Sequence, residues 1–155
     1  MNKSSLPTGL KDVLGALLED HREAKKLFKD FEKAKSSEEK EEIARTVCEA
    51  LTLHTQLEEE FFYPAVRELE SDSIKALLDE AEVEHASAKE LIQQIEGIGA
   101  DDALFEAKVT VLGEYVSHHI REEEEELFPK LVEEKVDLRE VGAAMEEKRN
   151  ELVAH

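Results

Sequence analysis

The chain has 155 residues and a formal net charge of −19, because 39 acidic residues outnumber 20 basic ones. This length allows one domain with a proper core, and a hydrophobic content of 41% argues against disorder. The negative charge opposes binding to nucleic acid or to an anionic membrane, since both need a basic surface. Cys48 has no cysteine partner, and the first residues lack the apolar core of a signal peptide. We therefore expect a soluble, cytoplasmic protein with neither nucleic-acid nor membrane partners.

The composition and the apolar spacing predict an all-α fold. Glu, Lys, Ala and Leu dominate, and apolar residues recur at steps of three and four rather than alternating. Four long helices and a short fifth helix are predicted over about residues 10–34, 38–69, 71–96, 102–134 and 138–153. Short connections favour an up-down-up-down four-helix bundle, in a single domain over residues 1–155.

Local signals mark several of the predicted helix ends. Capping positions are predicted at Ser36 with Glu39, at Asp101 or Asp102, and at Asp137 with Glu140. Two prolines, Pro64 and Pro129, lie near the ends of the second and fourth helices. Because proline lacks an N–H group, we expect both helices to bend there.

Each of the four long helices places a histidine in the middle of its apolar seam. These histidines are His21, His54, His85 and His119. The second and fourth helices add a glutamate one turn later on the same face, namely Glu58 and Glu123. On the second helix, the seam is then expected to continue through Phe61 and Ala65.

These six polar residues point to a metal when they are taken together. A single histidine on an apolar face is more often a hydrogen-bonded core residue, and a single glutamate usually belongs to a solvated face. A histidine–glutamate hydrogen-bond network could satisfy part of the set. However, burying an unpaired carboxylate is costly, and the seams carry no lysine or arginine. A bound cation is therefore the natural counter-charge.

The glutamate-bearing segments repeat along the chain without a gap. Residues 54–64 and 119–129 both read His, Glu at +4 and +5, apolar or aromatic at +8 and +9, and Pro at +10. Residues 20–25 and 84–89 match more weakly. Two helix pairs related by a pseudo-twofold axis would hold two metals with similar ligands. Imidazole and carboxylate ligands without thiolate favour iron, with manganese or zinc as alternatives.

His118 offers an alternative seam on the fourth helix, because Glu122 follows it four residues later. The register of Pro129 agrees instead with His119 and Glu123, so these two are the predicted ligands.

Glu59 and Glu124 directly follow the two seam glutamates. Their adjacent positions turn them away from the seams, so they are not predicted as ligands. A supporting contact to a ligand remains open for both.

The motifs Asp20-His21, His54-xxx-Glu58-Glu59, Glu84-His85 and His119-xxx-Glu123-Glu124 resemble the hemerythrin-like, or HHE cation-binding, domain family. The resemblance spans about residues 10–152. It implies a non-haem di-iron centre, oxo- or hydroxo-bridged, with bridging carboxylates from Glu58 and Glu123. The terminal ligands it implies are His21, His54, His85 and His119.

One position departs from the oxygen-carrying hemerythrins. Their third helix supplies two histidines one turn apart, whereas Lys89 stands four residues after His85. The set of four histidines and two glutamates is closer to bacterial repair proteins for iron centres under nitric oxide stress. Those proteins carry a further Cys-bearing domain that these 155 residues do not include, so a repair role is not carried over.

The expected function is therefore that of a di-iron protein that binds or reacts with O2, nitric oxide or peroxide. A non-catalytic module that stores or senses iron or oxygen is the alternative. A third possibility is a helical bundle whose metal serves only to stabilise the fold. The sequence leaves open whether the protein is an enzyme and which protein partner it has.

Overall fold

A computed structural model describes residues 1–153, and it confirms the predicted all-α fold. The final two residues of the predicted domain, 154 and 155, lie outside the described residues. A 3-10 turn (Lys3–Ser5) precedes the α-helices α1 (Thr8–Lys33), α2 (Ser37–Leu57), α3 (Tyr63–Arg67), α4 (Asp72–Glu96), α5 (Phe105–Glu122), α6 (Phe128–Glu133) and α7 (Arg139–Val153). Two π-helical segments connect them without a break: Glu58–Phe62 joins α2 to α3, and Glu123–Leu127 joins α5 to α6. These two continuous helices correspond to the predicted second and fourth helices.

The long helices pack as a bundle, and α7 lies against it. Helix α1 contacts α2 and α5, while α4 contacts α5 and α2. Helix α7 contacts α1, α2 and the first π segment. Among the described residues, no helix combines the length and apolar character needed to cross a membrane.

Of the three predicted caps, one is confirmed and two differ from the structure. The hydroxyl of Ser36 accepts a hydrogen bond from the N–H of Glu39 at 3.1 Å. Neither Asp101 nor Asp102 caps a helix, because α5 begins at Phe105. The carboxylate of Asp102 accepts instead from the N–H of residue 104 at 2.8 Å, which closes a turn before the helix.

The cap predicted for the short fifth helix also differs from the structure. Asp137 accepts from the N–H of Arg139 at 3.1 Å, and it pairs with the Arg139 guanidinium as well. Because Arg139 holds the Asp137 carboxylate through both contacts, this carboxylate does not accept from the N–H of Glu140.

Each π segment ends two residues before one of the two helical prolines. The N–H groups of Tyr63 and Phe128 bond to carbonyls five residues back, those of Glu58 and Glu123. A proline ring crowds the carbonyl four residues before it and cannot donate a hydrogen bond, so a wider turn relieves the conflict. Each proline is thus preceded by a one-residue change of helical register, while the predicted bend of the two helices stays a prediction.

This extra residue shifts the buried face after Glu58. Phe62 is fully buried and Val66 is also buried, whereas the predicted seam residues Phe61 and Ala65 are half-buried. The prediction for Phe61 and Ala65 is wrong because it assumed a regular α-helical repeat through the π segment.

The hydrophobic core consists of two clusters. One contains Leu14 of α1 together with Phe62 and Phe128 from the π-segment end of the bundle. The other contains Val47 and Leu112 toward the opposite end. In each long helix the seam histidine lies between residues of these two clusters, so the bundle holds a polar layer in its middle.

Candidate metal centre

The structure brings all six predicted ligands together in this polar layer. Each is buried, with 9% of its surface exposed at most. They form two groups whose nitrogen and oxygen atoms lie within 4.8 Å of one another. The groups are His21, His54, Glu58 and Glu123, and Glu58, His85 and His119.

The spacing of the ligand atoms fits metal coordination. The Nε2 atom of His21 lies 3.1 Å from Glu123 Oε1, and that of His119 lies 3.2 Å from Glu123 Oε2. Glu58 Oε1 lies 3.2 Å from His54 Nε2 and 3.1 Å from His85 Nε2. Two donors that bind one metal at about 2.1 Å and at right angles are about 3 Å apart. Each glutamate thus lies next to one histidine of the pair His21 and His54 and one histidine of the pair His85 and His119. A carboxylate that bridges two metals needs this position.

Several buried polar atoms at the centre have no hydrogen-bond partner. They are Nε2 of His54 and both carboxylate oxygens of Glu58. Although His54 Nε2 and Glu58 Oε1 are close, their geometry is not that of a hydrogen bond. Leaving the oxygens of a fully buried carboxylate without a hydrogen bond is costly, whereas a cation would satisfy these atoms. The residues present therefore fit a metal.

A second carboxylate orients each histidine from behind. The Nδ1 atoms of His21, His54, His85 and His119 lie 2.7–2.9 Å from carboxylate oxygens of Glu124, Asp20, Glu59 and Glu84, respectively. A carboxylate can only accept, so Nδ1 carries a proton, and Nε2 is the nitrogen whose lone pair would be available to a bound metal. This arrangement is typical of histidines that bind metals.

Sequence reasoning did not assign these four carboxylates, although the repeat contains them. Asp20 and Glu84 each precede a seam histidine, yet each bonds the histidine of a neighbouring helix. Glu59 and Glu124 also bond to a histidine of another helix. They can therefore support ligands although they point away from their own seam. Their matched positions in both repeats were the signal that could have identified them.

The charges of the centre stabilise one another in the metal-free protein. Burial alone would lower the pKa of His54, but the charge of Glu58 and the bond to Asp20 raise it to about 10. The pKa of His119 is also raised despite burial, chiefly by the charge of Glu123. Burial opposes ionisation of Glu58, yet the charge of His54 holds its pKa well below the usual range. Protonated histidines thus supply the positive charge that a metal would otherwise bring.

Tyr63 is a further polar group at the centre that was not predicted. Its hydroxyl donates to Glu123 Oε2 and lies 3.2 Å from His119 Nε2. Burial, together with the charge of Glu123, raises the pKa of Tyr63 well above its usual value. In the second repeat the matching residue is Phe128, which stacks on His21 at 6.1 Å between ring centroids.

Arg149 of α7 reaches the centre through Asp20. Its guanidinium donates to both Asp20 oxygens, at 3.1 and 2.8 Å, and Asp20 Oδ2 lies 2.9 Å from His54 Nδ1. Burial opposes ionisation of Asp20, but the bonds to His54 and Arg149 lower its pKa. No seam pattern pointed to Arg149, because it belongs to the helix outside the bundle.

The two adjacent histidines of α5 lie in different environments. His119 is buried in the second ligand group, whereas the side chain of His118 is 59% exposed. The Nε2 atom of His118 lies 2.9 Å from Glu122 and 3.3 Å from Glu84.

A cavity of about 370 Å³ lies against the ligand set. All four seam histidines contribute to its wall, together with small and apolar side chains such as Ala24, Ala88 and Val116. The metal centre is thus bordered by space that a small molecule could occupy.

An all-helical bundle with buried imidazole and carboxylate groups defines a metal-binding module. Its sequence matches the model of the hemerythrin HHE cation-binding domain over residues 12–131. The chain belongs to this family. The resemblance noted from the motifs is thereby confirmed.

A relative in Nostoc sp. (strain PCC 7120 / SAG 25.82 / UTEX 2576), named DNA nickase, is 32% identical over 111 residues. The match covers 70% of this chain but 30% of that protein, so the chain spans less than a third of its length. No solved structure matches the chain.

Proposed function

We propose that this chain is a non-haem di-iron protein that binds or reacts with O2, nitric oxide or peroxide. The observation that supports it best is Glu58, whose two unpartnered oxygens are buried among two pairs of histidines. Four imidazoles and two carboxylates form a ligand set that suits iron, with manganese or zinc as alternatives.

The six ligand residues would hold two irons in two different ways. The carboxylates of Glu58 and Glu123 face both histidine pairs and would bridge the metals, while the four histidines would be terminal ligands. Iron bound there would supply electrons and open positions for a small ligand. The carboxylates behind the histidines keep the proton on Nδ1 and fix each ring. Tyr63 holds a proton on its hydroxyl beside Glu123, and the cavity gives a small molecule a place next to the histidines.

The surroundings of Lys89 support reaction rather than reversible storage. Lys89 stands where oxygen-carrying family members have a further histidine, and its ammonium group pairs with Glu59. It therefore supports the carboxylate behind His85 instead of adding a ligand. With fewer protein ligands than in those family members, both metals would keep positions open to outside molecules. We expect the reduced iron protein to oxidise rapidly in air.

Iron loading and small oxidants test this proposal. The protein is loaded with ferrous iron without oxygen, its iron content is measured, and visible spectra are recorded after adding O2, nitric oxide or peroxide. We expect two irons per chain and a spectral change with each ligand, both lost in Glu58→Ala. Oxygen that is taken up and released intact on deoxygenation would instead favour the storage or sensing alternative.

DNA nicking is a second candidate, favoured by the name of the Nostoc relative. The charge of −19 opposes it, since contact with the DNA backbone requires basic residues. The match also leaves most of that relative uncovered. Incubation of a supercoiled plasmid with the metal-loaded protein tests this candidate. We expect the plasmid to remain supercoiled. Metal-dependent nicking that is lost in Glu58→Ala would establish the second candidate.

A further inference from the structure

A third group of metal-binding side chains lies on the surface, beside the buried centre. It consists of Glu84 on α4 with His118 and Glu122 on α5, and one donor atom of each lies within 4.8 Å of the others. The imidazole of His118 is 59% exposed, while the side chains of Glu84 and Glu122 are 22% and 20% exposed. The group is therefore open to ions from solvent.

The donor spacing in this group matches that of the buried centre. His118 Nε2 lies 2.9 Å from Glu122 Oε1 and 3.3 Å from Glu84 Oε2. Donors bound to one metal at about 2.1 Å are about 3 Å apart when they meet at right angles. One imidazole and two carboxylates also form a ligand set that suits divalent first-row metals.

The pseudo-twofold symmetry provides an independent reason to expect a cation here. Glu84 corresponds to Asp20 in the repeat, and each supports a histidine of the buried centre. The outer side of Asp20 is neutralised by the guanidinium of Arg149. Among the ion pairs of the described residues, Glu84 has histidine partners but neither a lysine nor an arginine.

The matching surface positions also differ in chemistry. In the first repeat, the positions of His118 and Glu122 are taken by Leu53 and Leu57, and Leu57 is fully buried. Where one half of the molecule has apolar residues and a fixed cation, the other half has an imidazole and a second carboxylate. The two carboxylates oppose each other's charge, because both approach the same atom, Nε2 of His118.

We propose that Glu84, His118 and Glu122 form a surface site for a divalent transition-metal ion. The ion neutralises Glu84 as Arg149 neutralises Asp20. It is bound from solvent and is exchangeable, so it is distinct from the buried metals. This site does not require the buried centre to contain iron.

Titration of the iron-loaded protein with Mn²⁺ tests the proposal, with free Mn²⁺ followed by its electron paramagnetic resonance signal. We expect His118→Ala and Glu122→Gln each to bind one Mn²⁺ fewer than the unaltered protein. Glu125→Gln is the matched control, because Glu125 is exposed in the same acidic run but outside the group. Unchanged iron content in all three variants shows that they fold.

The outcomes separate the surface site from the function of the buried centre. Equal Mn²⁺ binding by the unaltered protein, His118→Ala and Glu122→Gln would overturn the proposal, and so would an equal loss in Glu125→Gln. If the buried centre does not take up iron, the proposed function fails, but the one-ion difference between the unaltered protein and His118→Ala is still expected.

Discussion

The two halves of the metal centre share their ligands but differ in what surrounds them. The α1 half contains the pair His21 and His54, and the α4 half contains His85 and His119. In both halves a carboxylate accepts from Nδ1 of each histidine at similar distances. The internal repeat of the sequence accounts for this agreement, since the ligands and their supports recur at matched positions.

The two halves differ in the residues that surround the ligands and their supporting carboxylates. The α4 half has the hydroxyl of Tyr63 where the α1 half has the ring of Phe128. The α1 half is covered by α7, which delivers Arg149, whereas the α4 half exposes His118. A duplicated set of candidate ligands can thus have different surroundings in its two halves when a helix is added to one side.

The largest expected effect comes from the carboxylates that both halves share. Glu58→Ala and Glu123→Ala should abolish tight metal binding, because each glutamate faces both pairs of histidines. Glu59→Ala and Glu124→Ala remove a support of one histidine each, which typically weakens metal affinity by about 10–100-fold. Metal content after gel filtration measures the difference. Equal losses at all four positions would show that sharing between the halves does not govern binding.

The adjacent histidines of α5 give the next largest effect. His119→Ala should abolish or halve iron binding, since it removes a buried ligand from the α4 half. His118→Ala should leave the iron content nearly intact, because side chains one residue apart on a helix point about 100° apart. Metal analysis of the two variants compares them directly. The reverse result would transfer the ligand role to His118 and the bridging role to Glu122.

Removing the metal should make the stability of the protein depend on pH. In the metal-free protein the pKa of His54 rises from 6.5 to about 10, so folding retains a proton that the unfolded chain releases. This contribution is fully present below pH 6.5 and is lost as the pH rises through about 10. Glu58, whose pKa is lowered from 4.5, contributes above that pH and loses its contribution as the pH falls.

Urea denaturation near neutral pH and at about pH 9 checks this expectation. The metal-free form should lose stability toward alkaline pH, while the loaded form should be more stable near neutral pH and change less, because metal replaces the protons. An unchanged melting temperature after chelation would argue against a buried site in either half.

The sequence predicts the repeated features of the centre well, because they follow a helical period. The seam histidines and glutamates lie on the inner face of a regular helix, so their burial could be predicted from spacing alone. Phe61 and Ala65 fail this reasoning, since the π segment before Pro64 adds a residue to the turn. A proline signals a disturbed helix, but not whether the helix bends or changes register.

The features that differ between the halves are also those that the sequence does not reveal. Asp20 and Glu84 support histidines on neighbouring helices, a pairing that depends on how the helices pack. Arg149 lies on a helix with no repeat partner, so neither symmetry nor seam spacing connects it to Asp20. Contacts between segments that are distant in the sequence can be identified only in the folded structure.

A moderate effect is expected from removing the contact that α7 makes with the α1 half. Arg149→Ala leaves the partly buried carboxylate of Asp20 without its guanidinium and loosens its hold on His54. We expect metal affinity to fall by about tenfold, at the lower end for a support of a metal ligand. Arg139→Ala is the control, because Arg139 pairs with Asp137 away from the centre. Competition with a chelator measures the metal affinity of both variants. Equal affinities would mean that the contact from α7 does not affect metal binding in the α1 half.

The smallest effect should follow from making the halves alike at Tyr63. Tyr63→Phe removes the hydroxyl that donates to Glu123, and it installs the residue found at the matching position 128. Because the ring is kept, metal content should stay unchanged, while the visible spectrum and azide affinity of the iron-loaded protein should shift by a modest amount. Tyr115→Phe is the control for the visible spectrum but not for azide affinity, since Tyr115 is 46% exposed and lines the cavity. A loss of metal as large as in Glu58→Ala would make the Tyr63 phenol a ligand itself. Identical spectra for both tyrosine variants would show that the hydroxyl does not distinguish the two halves.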